Sequence, residues 1–403
     1  MTRLAWTIVL CSATILGINM GIRQGFGLFL TPMSQDLGFS RETFAFAMGI
    51  SNLIWGAAAP FFGALADRLG VKIAVLIAVV LYAAGLMTMA WQESGSGLLM
   101  GGILVGFGIS GTGFSVFLGA VGRAVAPEKR SAALAMTTMG GSIGQFLALP
   151  YIHLLIDHFG WINSLLFLAA TILLALPLAL GAAAGDKYYL NTQKSEQSMA
   201  EAFREASKHK GFWLLTAGFF VCGFHLLFIA VHMPAYLTDN GLEPWVGVAS
   251  LTIIGISNVI GTYVLGKLGD PFGNKNVLSM IYLARAVCFS TFLLLPANIY
   301  TAFGFSVAIG FLWLGTVPLT SGVIANIFGP RYLSMLFGIV FFSHQVGGFL
   351  GVWLGGIFYD VMGSYDSMWG ISVLLGLGAA ALHWPIHEAP IERLAPSQPP
   401  LLS

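Results

Sequence analysis

The sequence predicts an all-α membrane protein of twelve transmembrane helices in two pseudo-symmetric six-helix bundles, and three observations carry that prediction. Hydrophobic residues make up 57% of the 403 and charged residues only 9%, with a mean hydropathy of +0.84. No water-soluble surface of this size tolerates such a balance. Apolar stretches of about 20 residues, the length at which a helix crosses ~30 Å of hydrocarbon, recur between short polar breaks. One ten-residue pattern also occurs twice, as Gly63-Ala-Leu-Ala-Asp67-Arg68-Leu-Gly70-Val-Lys72 and as Gly266-Lys-Leu-Gly-Asp270-Pro-Phe-Gly273-Asn-Lys275, at an offset of 203 residues.

In chain order, the first half gives segments 5–32, 42–65, 72–92, 97–121, 131–154 and 162–182; the second gives 212–237, 246–266, 276–296, 299–326, 333–358 and 366–387. Each run is about twice the length of a barrel strand and lacks period-two alternation, which excludes strands. The first run continues past twenty residues with no small-residue cleavage site before the next segment, so it is not expected to be a cleaved signal peptide. The same offset holds without a gap beyond the repeated pattern: Asp36 and Gly38 fall on Asp239 and Gly241, Pro127 on Pro330, Gly144 on Gly347, Asp157 on Asp360 and Gly160 on Gly363. The domains expected are therefore 1–182 and 212–387, joined by a polar linker at 183–211. The tail 388–403, with Pro390, Pro396, Pro399 and Pro400, reads as disordered.

Charge sets the orientation. With a cytoplasmic N-terminus, 15 of the 18 Lys and Arg lie on the cytoplasmic side, Arg23 and Arg285 lie inside helices, and Arg41 faces out. Both termini are then cytoplasmic, in what the compact loops suggest is a bacterial inner membrane. Within the linker, the stretch from Ser198 to Lys208 fits an amphipathic helix on the membrane surface as well as it fits a plain tether. Cys11, Cys222 and Cys288 fall inside predicted helices and suggest no disulfide framework. Pairs such as Gly102/Gly106 and Gly347/Gly351/Gly355 suit close helix packing in lipid.

Two tandem units with an even number of crossings have parallel topology. Halves of that kind pack about an axis along the membrane normal, hold a site near the midplane and rock to open it to either side in turn. The pattern from Gly63 to Lys72 resembles the loop between helices 2 and 3 of the major facilitator superfamily, and Gly266 to Lys275 resembles its weaker echo between helices 8 and 9. The resemblance covers the whole chain. It implies a cytoplasmic gate in which Asp67 and Arg68, with Asp270 in the second half, clamp helix ends; the plainer reading is that Asp67 caps a helix. Within that superfamily the first half is similar to the monocarboxylate transporters and their prokaryotic relatives, in the run Gly21-Ile-Arg23-Gln24-Gly-Phe26-Gly27-Leu-Phe29-Leu-Thr-Pro32-Met33 and in Glu128-Lys129-Arg130-Ser-Ala-Ala-Leu-Ala-Met136. One departure stands out: where those transporters place Asp or Asn and then Arg a turn later in helix 8, this chain has Asn258 followed by Thr262.

Ionisable groups at mid-membrane cost at least ~2.5–3.5 kcal/mol on insertion scales, so each needs a partner or a wet cavity. Arg23 shares a helix face with Asn19 and is suited to grip a carboxylate with two hydrogen bonds; the alternative is an Arg snorkelling to the outer interface. Arg285 is placed equally well as a brace satisfying carbonyls and as a ligand contact. His225 and His232 lie about 10 Å apart along one helix, too far to share a metal without further ligands. His344 and Gln345 sit at the middle of segment 11, with Gln145 and, nearer the outer end, Tyr151 in segment 5. None of the seventeen acidic residues falls mid-helix, so a travelling proton would ride on His225, His344 or the substrate. The absence of a midplane carboxylate argues against an organic-cation carrier.

Gly106-Phe-Gly108-Ile-Ser-Gly111 and Gly140-Gly-Ser142-Ile-Gly144 match a dinucleotide fingerprint and a nucleophile elbow, but both lie inside apolar helices with no strand before them. The expectation is a non-enzymatic secondary transporter, with no cofactor, metal or nucleic-acid partner, embedded as a monomer in the lipid bilayer. The expected cargo is a small organic anion, a mono- or short carboxylate, moved by proton symport or anion exchange. Arg23, Asn19, Gln24, Gln145, Tyr151, His225, Asn258, Arg285, His344 and Gln345 are the candidate binding residues. Drug efflux by proton antiport is the competing transport reading, weakened because Gly144 is followed by Gln145 rather than by the proline typical of drug antiporters. A non-transporting sensor of the same fold is the competing class, and it usually carries a longer cytoplasmic extension.

Overall fold

The computed structural model describes residues 1–38, 41–92, 94–186 and 197–394, and helices dominate it from end to end. Helix α1 is Arg3–Gln24, extended by a 3-10 turn (Gly25–Phe29) and by Leu30–Leu37; α2 is Arg41–Leu69 and α3 is Val71–Trp91. Helix α4 comes in two pieces, α4a (Gly95–Gly111) and α4b (Phe114–Ala124). The run Arg130–Leu173 breaks at Gly160 (φ 72°, ψ 169°), which divides it into α5 (130–159) and α6 (161–173, continued by Ala175–Ala182). In the second half α7 is Lys210–Asp239, α8 Pro244–Phe272 and α9 Asn274–Leu294. Helix α10 is again split, into α10a (Ile299–Phe311) and α10b (Thr316–Phe328); α11 is Leu333–Met362 and α12 Asp366–His383.

Among the described residues ten helical runs are long and apolar enough to cross a membrane. One of them, Pro127–Ala182, holds both α5 and α6. Helix α12 is 18 residues long and starts and ends on Asp366 and His383, which lower its hydropathy. With these two points counted, all twelve expected crossings have their helix.

The repeat is written into the backbone as well as the sequence. Positive φ occurs at Gly38 and Gly241, at Gly70 and Gly273, and at Gly160 and Gly363, each pair related by the repeat. At Gly70 (φ 98°) and Gly273 (φ 82°) the chain turns directly from one long helix into the next, a conformation that a Cβ disfavours. Helix packing repeats too. Helix α1 crosses α5 where Gly17 meets Gly140 and Gly144, and α7 crosses α11 where Phe220 meets Gly347. A side chain at Gly144 or Gly347 would strike the facing carbonyl, so the glycines let these backbones touch.

The face that carries the chain ends, called here the terminal face, has an outer layer. The linker helix Met199–Lys208 starts with a reciprocal cap in which Ser198 and Glu201 satisfy each other's backbone N–H, and it buries Ala202 and Ala206. Gln197 accepts a hydrogen bond from Tyr332 Oη through its carbonyl. Linker residues 187–196 lie outside the described residues. The tail needs a correction. Residues 388–394 are ordered against the second half, because Glu388 caps α9 through Asn274 N and Lys275 N and Ile391 N donates to Ile327 O at 3.1 Å. Tail residues 395–403 lie outside the described residues.

Candidate functional site

The two halves meet along α2–α11 and α5–α8. At the terminal face each half grips the other. Asp67, at the end of α2, accepts Met335 N at 2.9 Å, and it pairs with Arg123 from α4b, which also reaches Ser334 Oγ at 3.4 Å. Asp270, at the end of α8, accepts Ser131 N at 3.0 Å and Ala132 N at 3.2 Å at the start of α5. Both carboxylates therefore sit where unpaired N–H groups and the positive end of the helix dipole favour negative charge. Glycines make room: a Cβ at Gly63 or Gly119 would collide with Ser334. Arg68 requires a correction, since its side chain is exposed and makes no hydrogen bond or ion pair among the described residues; its expected place is taken by Arg123. Beside this clamp, Asp186 caps α3 through Val71 N and Lys72 N, and burial pushes its carboxyl up against the opposing pull of Arg123 and of those two amides.

Deeper between the halves lies a polar and aromatic cluster. Arg23 Nη2 donates to Asn52 Oδ1 at 3.2 Å, and the guanidinium lies over the Trp55 ring at 4.9 Å. Asn52 is held in that orientation because its Nδ2 donates to Met48 O. From the other half, Gln345 Nε2 donates to Asn52 O at 3.2 Å, while Gln345 Oε1 accepts from His344 Nδ1 at 3.0 Å. His344 stacks on Phe341 with an interplanar angle of 7°, and Phe341 in turn meets Trp55 and Phe114. Among the described residues buried Arg23 Nε and His344 Nε2 make no hydrogen bond that meets ordinary geometry, and the His344 ring lies close to the Cys222 thiol. Among the described residues Arg23 makes no ion pair, so this cluster holds a guanidinium without a counter-ion.

Three sequence candidates are brought together here: Arg23, His344 and Gln345. Four others bond groups within the protein itself. Asn19 is fully buried and donates to Ile109 O (3.2 Å) and Thr112 O (2.8 Å), the carbonyls freed where α4 breaks. Arg285, also fully buried, donates from Nε and Nη2 to Leu312 O, the repeat counterpart of the Ile109 carbonyl, where α10 breaks. Asn258 accepts Leu314 N at the same break and donates to Ser142 Oγ across the interface. His225 Nε2 bonds Ser372 O and packs on Phe289, inside the second bundle. These residues satisfy buried backbone groups that would otherwise be costly in lipid. Gln24 is exposed and Gln145 half-buried, and neither side chain makes a hydrogen bond among the described residues. Tyr151 is 40% exposed and bonds Thr171 in a cavity of about 580 Å³ between α1, α5 and α6, on the side of the first bundle.

Sequence reasoning passed over Asn52, Trp55, Arg123 and Ser334. A signal existed for Asn52, an amide inside the otherwise apolar segment 42–65. For Arg123 there was none, because its repeat partner Asn326 is uncharged.

Fold and site together define a two-bundle helical membrane protein whose halves clasp each other at the terminal face. Residues 9–319 and 251–402 match the Major Facilitator Superfamily model, and the chain belongs to that family, whose members are transporters rather than enzymes. It is 25% identical over 399 residues to the MFS-type transporter YcxA of Bacillus subtilis, covering 94% of each chain. It is 25% identical over 381 residues to Monocarboxylate transporter 13 of Rattus norvegicus, covering 93% of this chain and 87% of that one. The Oxalate:formate antiporter of Oxalobacter formigenes is 23% identical over 356 residues, with 87% and 84% covered. Among solved structures, the fucose transporter FucP in its outward conformation superposes with a TM-score of 0.71 at 15% identity, covering 94% of this chain and 99% of that one; at that identity the likeness concerns the fold.

Proposed function

We propose that the protein is a secondary transporter of a small organic anion, a mono- or short carboxylate, working by alternating access with proton symport or anion exchange. The observation that carries this reading is Arg23: a guanidinium between the two halves, oriented by Asn52 and Trp55, with no carboxylate partner among the described residues. A substrate carboxylate supplies the missing counter-charge, and the planar fork offers it paired N–H donors. With Asn19, Asn258 and Arg285 engaged at helix breaks, the cluster around Arg23 favours a small carboxylate over a polyhydroxylated substrate. The monocarboxylate and oxalate:formate carriers among its relatives support the same class. Of the two proton-coupling candidates, His344 lies beside Gln345 between the halves and is the better placed; His225 is enclosed in the second bundle and bonds Ser372 O. Asp67, Arg123 and Asp270 form the gate, and the terminal face is cytoplasmic in a bacterial inner membrane, with the protein acting as a monomer.

The test is uptake of labelled monocarboxylates by proteoliposomes under an imposed pH gradient and, separately, against a trapped carboxylate. Saturable uptake abolished by Arg23→Ala is expected. Unchanged uptake in that variant overturns the anchor role.

A further inference from the structure

Glu388 follows α12 in the docked tail, and its carboxylate gathers four N–H groups. Oε1 accepts Asn274 N (3.3 Å), Asn274 Nδ2 (2.7 Å) and Asn326 Nδ2 (2.9 Å), while Oε2 accepts Lys275 N (3.1 Å). Two side-chain amides thus turn their NH2 groups to one carboxylate, and their oxygens must point the other way. Those oxygens face the first half. Asn274 Oδ1 accepts from Ser131 Oγ at 2.7 Å, and Asn326 Oδ1 accepts from Arg130 Nη1 at 3.4 Å. Arg130 and Ser131 begin α5, the helix start that Asp270 already holds through Ser131 N and Ala132 N.

We propose that Glu388 is a positioning residue for the rocking motion: it sets both amides so that the second half can capture the start of α5, and so it weights the state closed at the terminal face. With the carboxylate gone, either amide is free to flip, and a flipped Asn326 sets its NH2 against the Arg130 guanidinium. The tail is pinned where this requires it, by Ile391 N on Ile327 O, by Arg393 on Glu205 of the linker helix at 3.4 Å, and by Leu394 against Gly329. The first half has the cap without the relay. Asp186 accepts Val71 N and Lys72 N, the repeat counterparts of Asn274 and Lys275, but Val71 has no amide to pass on. The device is therefore specific to the second half and depends on the tail staying docked.

The experiment is a distance measurement on the full chain in lipid nanodiscs. Spin labels are placed at Leu69→Cys and Phe272→Cys, exposed repeat-related ends of α2 and α8, in a background with Cys11, Cys222 and Cys288 changed to Ser. The isosteric Glu388→Gln, chosen to preserve folding, is expected to raise the ratio of long to short distances about tenfold, the scale of one or two charge-assisted hydrogen bonds. Glu392→Gln, exposed in the same tail, is expected to leave it unchanged. Asn274→Ala/Asn326→Ala is expected to reproduce the shift, with Glu388→Gln adding under about twofold on top of it. An unshifted Glu388→Gln distribution, or a full shift persisting in the double-alanine background, overturns the proposal. No substrate is used, so this result stands or falls separately from the anion reading.

Discussion

Asp67 and Asp270 are related by the repeat, and so are two of the backbone amides they capture, Met335 N and Ala132 N. Each half thus offers a carboxylate to the other at the same place, a reciprocal pair that closes one face of the molecule about a pseudo-two-fold axis. The halves diverge around it: Arg123 pairs with Asp67 from within the same half, whereas Arg130 reaches across to Asn326 in the other.

Reciprocity predicts that Asp67→Asn and Asp270→Asn shift the molecule the same way. Each loses charge-assisted hydrogen bonds, and each is expected to raise the population open at the terminal face by roughly tenfold. Maleimide labelling of Ala59→Cys, buried on α2 against Gly338, reports that opening. Opposite shifts from the two variants would contradict a shared gate.

The difference between the two candidate gate arginines is equally testable. Arg123→Ala strips a buried carboxylate of its counter-ion, a loss of about 3–5 kcal/mol for a buried pair, and is expected to lower uptake by more than tenfold. Arg68→Ala removes an exposed side chain that makes no bond among the described residues and is expected to change uptake by less than about twofold. The comparison is made in proteoliposomes at matched protein density.

The braces of the broken helices predict a stability phenotype without a specificity phenotype. Arg285→Met leaves Leu312 O and Trp313 O without their donor, and Asn19→Leu does the same to Ile109 O and Thr112 O. An orphaned buried acceptor costs about 1–3 kcal/mol, so thermal unfolding in detergent is expected several degrees earlier for both. The KM of the surviving protein stays within about twofold of the parent. A large KM change with unchanged unfolding would return these residues to the binding site.

The crossings and the repeat were legible in sequence because apolar length and a fixed offset are one-dimensional signals, and the same offset singled out Asp67 and Asp270. What Asn19 and Arg285 do was not legible, because it follows from α4 and α10 breaking opposite them. A polar residue inside hydrocarbon announces that it has a partner without saying whether that partner is a ligand or a carbonyl. The tail misread for the same reason: its prolines and polarity resemble disorder, and only the N-terminus of α9, with Asn274 turned toward it, explains why Glu388 is held.

The linker helix carries a pH prediction. Glu201 is held below the usual carboxylate range by its bonds to Ser198, and burial holds His209 below the ordinary histidine value of 6.5, with His387 adding to the effect and Glu205 opposing it. Both folded-state values are depressed, so the unfolded segment binds more protons and stability declines as the pH is lowered. The His209 contribution is complete above 6.5 and is lost as pH falls through its folded value; the Glu201 contribution goes at lower pH. Hydrogen exchange of 198–209, corrected for intrinsic rates, is expected to show protection declining from pH 7.5 to 5. Constant protection over that range would mean that His209 does not support the segment.

Arg23 separates charge from shape. Arg23→Lys keeps the positive charge but loses the fork that meets Asn52 and the flat face that lies on Trp55. If the guanidinium is the carboxylate anchor, Arg23→Lys is expected to raise KM at least about tenfold while kcat falls less. Trp55→Leu removes a cation–π contact of about 0.5–2 kcal/mol and is expected to raise KM by a smaller factor. Asn52→Ala frees the donating Nη2 and is expected to fall between them, since the fork remains but is no longer aimed. Should Arg23→Lys transport like the parent, a point charge suffices at this position and the oriented fork is not what selects the substrate.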